Sequence, residues 1–182
     1  MTEAVPAQQL LIDAFGRVRE LVINLTDGLT EEVAGYRPDD QANSISWLIW
    51  HLTRIQDDHL AHLAQTDQVW DRWREAFKLP FDDRATGYGQ TAEEVAMVRV
   101  DGERLGGYHH DVHELTRSYL DGITVEELDR VIDTRWDPPV TAAVRLVSVI
   151  GDALQHLGQA AYVRGLAERR ASPWHRSVAA ER

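Results

Sequence analysis

Ser44-Ile45-Ser46-Trp47-Leu48-Ile49-Trp50-His51-Leu52 is the stretch on which the fold turns. Ser44 or Ser46 can cap a helix. Ile45, Leu48, Ile49, Leu52, Ile55 and Leu63 then recur at the three- and four-residue spacing of one helix face. His51 lies on the same arc. Burying an imidazole costs free energy unless its ring nitrogens find partners. His51 is therefore either a hydrogen-bonded core residue or a ligand. Trp47 and Trp50 flank it and either fill core or wall a substrate pocket.

The helical period continues outward. Leu10, Leu11, Ala14, Phe15, Val18, Leu21, Val22 and Leu25 trace an earlier helix face that ends near Gly28 and Thr30, and residues 35–43 read as a loop. On the other side, Trp70, Trp73 and Phe77 have short helical spacing inside a long connection, residues 66–90, which packs over one bundle end. Thr91 with Glu94 forms a capping-box pattern. A third helix follows to about Leu120, with Val95, Val98, Leu105, Val112, Leu115 and Tyr119 facing inward and a bend expected at Gly102, Gly106 and Gly107. Thr124 and Glu127 predict a short helix over 125–131, Trp136-Asp137-Pro138-Pro139 excludes helix interior, and Thr141 opens a last helix to about Arg170. Strand signals are sparse. The expectation is an all-α, four-helix bundle with a long crossover connection. It forms one domain over 1–182, with its core at about 8–170 and a tail over 171–182 in which Trp174 can dock.

A chain of 182 residues suits a single domain. It has no cysteine, which excludes disulfides, a cysteine nucleophile and thiolate ligands, so any metal must rest on imidazole and carboxylate. Asp and Glu outnumber Lys and Arg 30 to 19, for a net charge of −11, a field that repels nucleic acid and anionic lipid. Met1-Thr2-Glu3-Ala4-Val5-Pro6 has neither the basic nor the apolar region of a signal peptide. The apolar stretch Val140–Ile150 carries Arg145 and is too short to span a bilayer. A cytoplasmic protein with no membrane or nucleic-acid partner is expected.

Eight histidines prompt a search for a site. On the last helix, Asp152 and His156 stand at i and i+4, one above the other on a face shared with Val149 and Val163. A carboxylate on a buried face needs a partner. A divalent ion held by His51, Asp152 and His156 satisfies it and leaves corners open for water or substrate. A plain Asp152–His156 or Asp152–His51 hydrogen-bonded pair satisfies it too. His109 and His113, also i and i+4, with His110, Asp111 and Glu114, read as a solvated face. His59 and His62 read as members of a polar network, and His175 in the tail is uninformative.

The segments Ser44–Leu52, Gly28-Leu29-Thr30-Glu31-Glu32-Val33-Ala34-Gly35-Tyr36-Arg37-Pro38 and Asp152-Ala153-Leu154-Gln155-His156-Leu157-Gly158-Gln159, continuing through Arg164, resemble the DinB/YfiT-like superfamily over about residues 10–168. Within it, the chain is most similar to the branch holding the N-terminal domain of mycothiol-dependent maleylpyruvate isomerase and related thiol S-transferases. The resemblance implies a four-helix bundle with a divalent metal. Zinc leads, with nickel or iron as the other choices. Many members place three histidines at the site, whereas the isomerase branch has a carboxylate where this chain has Asp152. The isomerase carries a further C-terminal domain, so maleylpyruvate itself is not the expected substrate.

The resemblance makes a metal-dependent S-transferase the leading expectation, with mycothiol as co-substrate and an electrophilic small molecule as acceptor. Gln159 would orient a ligand or bound water, with Trp47 and Arg54 at the substrate pocket. Arg54 and Arg164 can meet an anionic group or pair at the surface. The alternatives are a metal-dependent hydrolase using Asp57 or Asp58 as base, and a non-catalytic metal-binding homodimer packed through Gly158, Ala160 and Ala161.

Overall fold

Ser44 caps the central helix. Its Oγ accepts the Trp47 amide at 3.1 Å, and Gln65 ends the helix in a left-handed conformation at φ 55°. The computed structural model describes residues 6–171; Trp174, His175 and the rest of the tail lie outside them. In chain order the elements are α1 (Pro6–Thr26), α2 (Glu31–Ala34), α3 (Ile45–Ala64), α4 (Trp70–Phe77), α5 (Ala92–Met97), α6 (Gly102–Asp121), α7 (Val125–Asp129), β1 (Val131–Asp133), β2 (Val140–Thr141) and α8 (Ala142–Ala171).

The long helices α1, α3, α6 and α8 form the bundle. Around it the order is α1, α6, α3, α8, so α3 packs on both α6 and α8 and lies diagonal to α1. Fifteen of the 20 residues of α3 are buried, because the connection over 66–101 covers the side its neighbours leave open. That accounts for an apolar stretch broader than one helix stripe. One part of the core gathers Trp47, Trp50, Trp70, Phe77 and Tyr108, and another gathers Phe15, Leu60, Leu120 and Leu146. Among the described residues, no helix is long and apolar enough to cross a membrane.

The architecture is all-α apart from β1 and β2, a short antiparallel ribbon pairing Val131 with Thr141. Several local expectations are corrected. The helix expected over 91–120 is two helices, α5 and α6. Ser46 Oγ on α3 accepts the Val100 amide at 2.9 Å and donates to the Val100 carbonyl at 3.1 Å, which holds that residue extended. Asp101 then caps α6 by accepting the Arg104 amide at 2.9 Å. The glycines expected to bend this helix instead allow close approach. A Cβ on Gly102 would run into the Thr26 carbonyl, and one on Gly107 would lie 2.6 Å from the Trp73 ring. Thr30 caps α2 rather than only ending α1. Leu10 and Leu21 face solvent, leaving Phe15, Val18, Val22 and Leu25 as the buried stripe of α1. On α8, Ala160 belongs to the chain's own core, so only Gly158 and Ala161 of the small-residue set face outward.

Candidate metal centre

The α3–α8 seam brings His51 against Asp152 and His156. One donor atom from each lies within 4.8 Å of the others. The two imidazoles meet edge to face, with ring centroids 4.8 Å apart. Asp152 and His156 share one face of α8, as the i, i+4 spacing requires, and His156 Nε2 lies 3.4 Å from Asp152 Oδ1.

Each imidazole is oriented through Nδ1. His51 Nδ1 is 2.5 Å from the Thr86 carbonyl oxygen. A carbonyl only accepts, so Nδ1 carries the proton and Nε2 keeps its lone pair for the seam. His156 Nδ1 is 3.2 Å from Gln159 Oε1, one turn along α8, which leaves its Nε2 beside Asp152 in the same way. Trp47 stacks on His51 with ring centroids 4.6 Å apart and planes 11° apart, and its Nε1 donates to Gln90 Oε1 at 2.7 Å.

Burial lowers the His51 pKa, and the field of His156 adds to that against the Thr86 contact. Burial pushes the Asp152 carboxyl up, but the contact with His156 and the fields of the nearby histidines outweigh it and the net displacement is downward. The contact with Asp152 raises the His156 pKa. The seam therefore favours a charged carboxylate and a neutral His51.

A divalent cation fits these residues. Asp152 Oδ2 is buried without a hydrogen-bond partner among the described residues, a costly state for a carboxylate oxygen. Two imidazole nitrogens and a carboxylate are a catalytic type of donor set, three protein ligands with coordination positions to spare. The Asp152 side chain is 33% exposed and that of His156 17%, so the seam opens to solvent on the α8 side.

Arg54 is not at this seam's mouth. It is fully buried one turn beyond His51, with Nε donating to the Ala85 carbonyl at 3.0 Å and Nη1 to Gln68 Oε1 at 2.9 Å. Asp57, expected at the surface, is also fully buried. It accepts the Val69 amide (2.9 Å), the Trp70 amide (2.8 Å) and the Tyr108 hydroxyl (2.7 Å), and sits 3.5 Å from Arg54. Asp58 accepts from Gln68 Nε2 at 2.7 Å. Arg164 donates to the Asn24, Leu25 and Asp27 carbonyls, closing the C-terminal end of α1.

The other histidines separate by environment. His59 Nε2 accepts from Arg145 Nη1 at 3.2 Å and His62 is exposed. His109, expected on a solvated face, is 1% exposed in the core; His110 is exposed and His113 intermediate. The groups not anticipated are Thr86 and Gly87, which contribute through backbone and loop position, and Gln90, whose side-chain oxygen holds Trp47. Their only trace in sequence is the Gly87-Tyr88-Gly89 break.

A family model described as Mycothiol-S-transferase matches residues 10–168. Among solved structures, the chain is similar to the conserved protein of locus from Enterococcus faecalis. The two are 38% identical with a TM-score of 0.83, over 90% of this chain and 98% of that one. No match arises among curated proteins.

Proposed function

The chain belongs to the mycothiol S-transferase family, and from that premise we propose that it is a divalent-metal-dependent S-transferase joining the sulfur of a mycothiol-type thiol to an electrophilic small molecule. The observation that carries this reading is the buried Asp152 Oδ2, without a partner among the described residues, beside two imidazoles whose Nδ1 atoms are already engaged.

His51 Nε2, His156 Nε2 and an Asp152 oxygen would hold the ion. Bound there, a divalent cation acts as a Lewis acid that favours the thiolate of a nearby thiol over the thiol. The remaining work belongs to the chain. Trp47 covers one face of His51 and excludes water from that side. Thr86 and Gln159 fix the two ring orientations. The chain has no cysteine, so the reacting sulfur arrives on a diffusible molecule. In the overall reaction a carbon–sulfur bond forms, the leaving group departs with its electron pair, and the thiol proton passes to solvent. Two imidazoles and a carboxylate are a set that zinc takes in catalytic sites, and zinc is the ion assigned ahead of nickel and iron. Hydrolysis at the same seam could not use Asp57 as its base, because Asp57 spends its oxygens on Val69, Trp70 and Tyr108.

The test is metal content by elemental analysis of untagged protein, followed by turnover of a bromobimane with and without mycothiol. About one zinc per chain in wild type, none in His156→Ala, and thiol-dependent turnover support the reading. Equal substoichiometric metal in both proteins, or turnover that needs no thiol, overturns it.

A further inference from the structure

Three residues on successive turns of α3 grip one short strap. Trp47 Nε1 donates to Gln90 Oε1 at 2.7 Å, His51 Nδ1 meets the Thr86 carbonyl at 2.5 Å, and Arg54 Nε donates to the Ala85 carbonyl at 3.0 Å. Gly87 presses between them at φ +95°. A Cβ there would lie 2.8 Å from His51 Nδ1, 3.0 Å from the Trp50 ring and 3.2 Å from that of Trp47. Residues 85–90 therefore lie on α3 too closely for any side chain at position 87.

Arg54 has an unusual setting for a cationic side chain. Its guanidinium is fully buried, 5.0 Å over the Trp70 ring, and held by Asp57, Gln68 and the Tyr108 hydroxyl, while Nη2 finds no partner among the described residues. Burying a cation is expensive, and a packed apolar side chain often serves stability as well. What an apolar residue cannot do is hold the Ala85 carbonyl. The next carbonyl along the chain is that of Thr86, the one that selects the His51 tautomer.

We propose that Arg54 is a positioning residue for the metal centre. It acts through the 85–87 strap to keep the Thr86 carbonyl on His51 Nδ1, so that His51 presents its Nε2 lone pair to Asp152 and His156. The chain of contact runs from Asp57 and Tyr108 through Arg54 to Ala85, then one residue along the backbone to Thr86, and from there to His51. A partner one step behind a metal ligand, as the Thr86 carbonyl is, typically changes metal affinity by about 10–100-fold when lost. The function assigned to Arg54 rests on the reading of His51, Asp152 and His156 as metal ligands, whereas the tautomer it enforces exists without an ion.

The experiment reads both. Long-range nitrogen–proton NMR of imidazole-labelled apo protein at pH 7.5 assigns the His51 tautomer, and competition with a chromogenic chelator gives zinc affinity. Wild type is expected to show the proton on His51 Nδ1. Arg54→Lys keeps the buried charge beside Asp57 but loses the guanidinium fork. It is expected to give a mixed His51 tautomer and about 10–100-fold weaker zinc binding, with the His156 signals unmoved. Gly87→Ala, which leaves Arg54 and Asp57 intact, displaces the strap directly and is expected to give the same pair of changes; it decides the matter should Arg54→Lys fail to fold. The proposal is overturned if wild-type His51 carries its proton on Nε2. It is also overturned if a folded Arg54→Lys keeps the wild-type tautomer with zinc affinity within twofold. Failure of wild type to bind any divalent metal sinks the metal reading, and the tautomer still decides whether Arg54 orients His51.

Discussion

Gln159 Oε1 stands 3.2 Å from His156 Nδ1, one turn along the same helix, and does for His156 what the Thr86 carbonyl does for His51. The two differ in how firmly they are held. Thr86 sits in a strap pinned at Ala85 and Gly87, whereas Gln159 is an exposed side chain.

Gln159→Leu keeps side-chain bulk and removes the acceptor. Zinc affinity is expected to fall by about tenfold, the low end for an outer partner of a metal-bound histidine, because solvent can replace an exposed amide. Chelator competition reads the change and thermal unfolding of the apo protein should not move. An affinity equal to wild type would mean that Asp152 alone sets the His156 orientation.

Asp152→Asn and Asp152→His separate charge from ligation. Asn keeps the shape but is a poorer donor to a hard cation, so metal content should drop sharply. His restores a nitrogen donor at the same point of α8 and should retain metal. Elemental analysis of the two variants checks this, and retention by Asn with loss by His would contradict the assigned role.

The Asp57 carboxylate accepts two backbone amides that open α4 and the Tyr108 hydroxyl, beside the buried Arg54. Asp57→Ala leaves a buried cation and three donors without partners. A loss of about 3–5 kcal/mol is expected on breaking a buried pair, read as a lower urea midpoint. Arg17→Ala breaks the exposed Arg17–Asp13 pair at 2.7 Å and should leave that midpoint within error of wild type.

The four bundle helices are legible in sequence because their burial follows the helical period, as the stripe Phe15, Val18, Val22 and Leu25 shows. The break between α5 and α6 is not, because Val95, Val98 and Leu105 keep that period across it. Only the pairing of Ser46 with the Val100 backbone, 54 residues apart, ends the first helix. His51, Asp152 and His156 can each be singled out by residue type on an apolar face, but their approach within 4.8 Å depends on the α3–α8 seam. Asp57 reads as surface because aspartates usually are, and only the folded chain supplies the donors that let it sink. Thr86 contributes a carbonyl, which every residue has, so no side-chain signal marks it.

Gly102, which opens α6, and Gly158, in the middle of α8, should respond oppositely to alanine. At Gly102 the new Cβ meets the Thr26 carbonyl and Leu29, so α1 and α6 must part; a cost of about 1–3 kcal/mol is expected for overpacking. Gly158 sits mid-helix on the exposed face of α8 with open space around it, and Gly158→Ala should gain about 0.5–1 kcal/mol from helix propensity. Chemical denaturation of both variants checks the contrast.

His109 gives the fold an acid-sensitive core position. Burial, with the fields of His113, Arg19 and His110 acting in the same direction, pushes its pKa down to about 3. In the unfolded chain the same side chain takes a proton near its ordinary value of 6.5. Above that value both states are neutral and His109 has no pH-dependent effect. As pH falls below it, the unfolded state binds a proton that the folded state refuses, so stability is lost progressively down to the folded pKa. At about 1.4 kcal/mol per unit, the loss between pH 6.5 and 4 is about 3 kcal/mol. His109→Leu removes the titration and also the unpartnered Nε2. The difference in unfolding free energy, variant minus wild type, should therefore be flat above pH 7.5 and grow in favour of the variant as pH falls to 4. Urea titrations at half-unit pH steps read it. A pH-independent difference would place the imidazole where it can be protonated in the folded state.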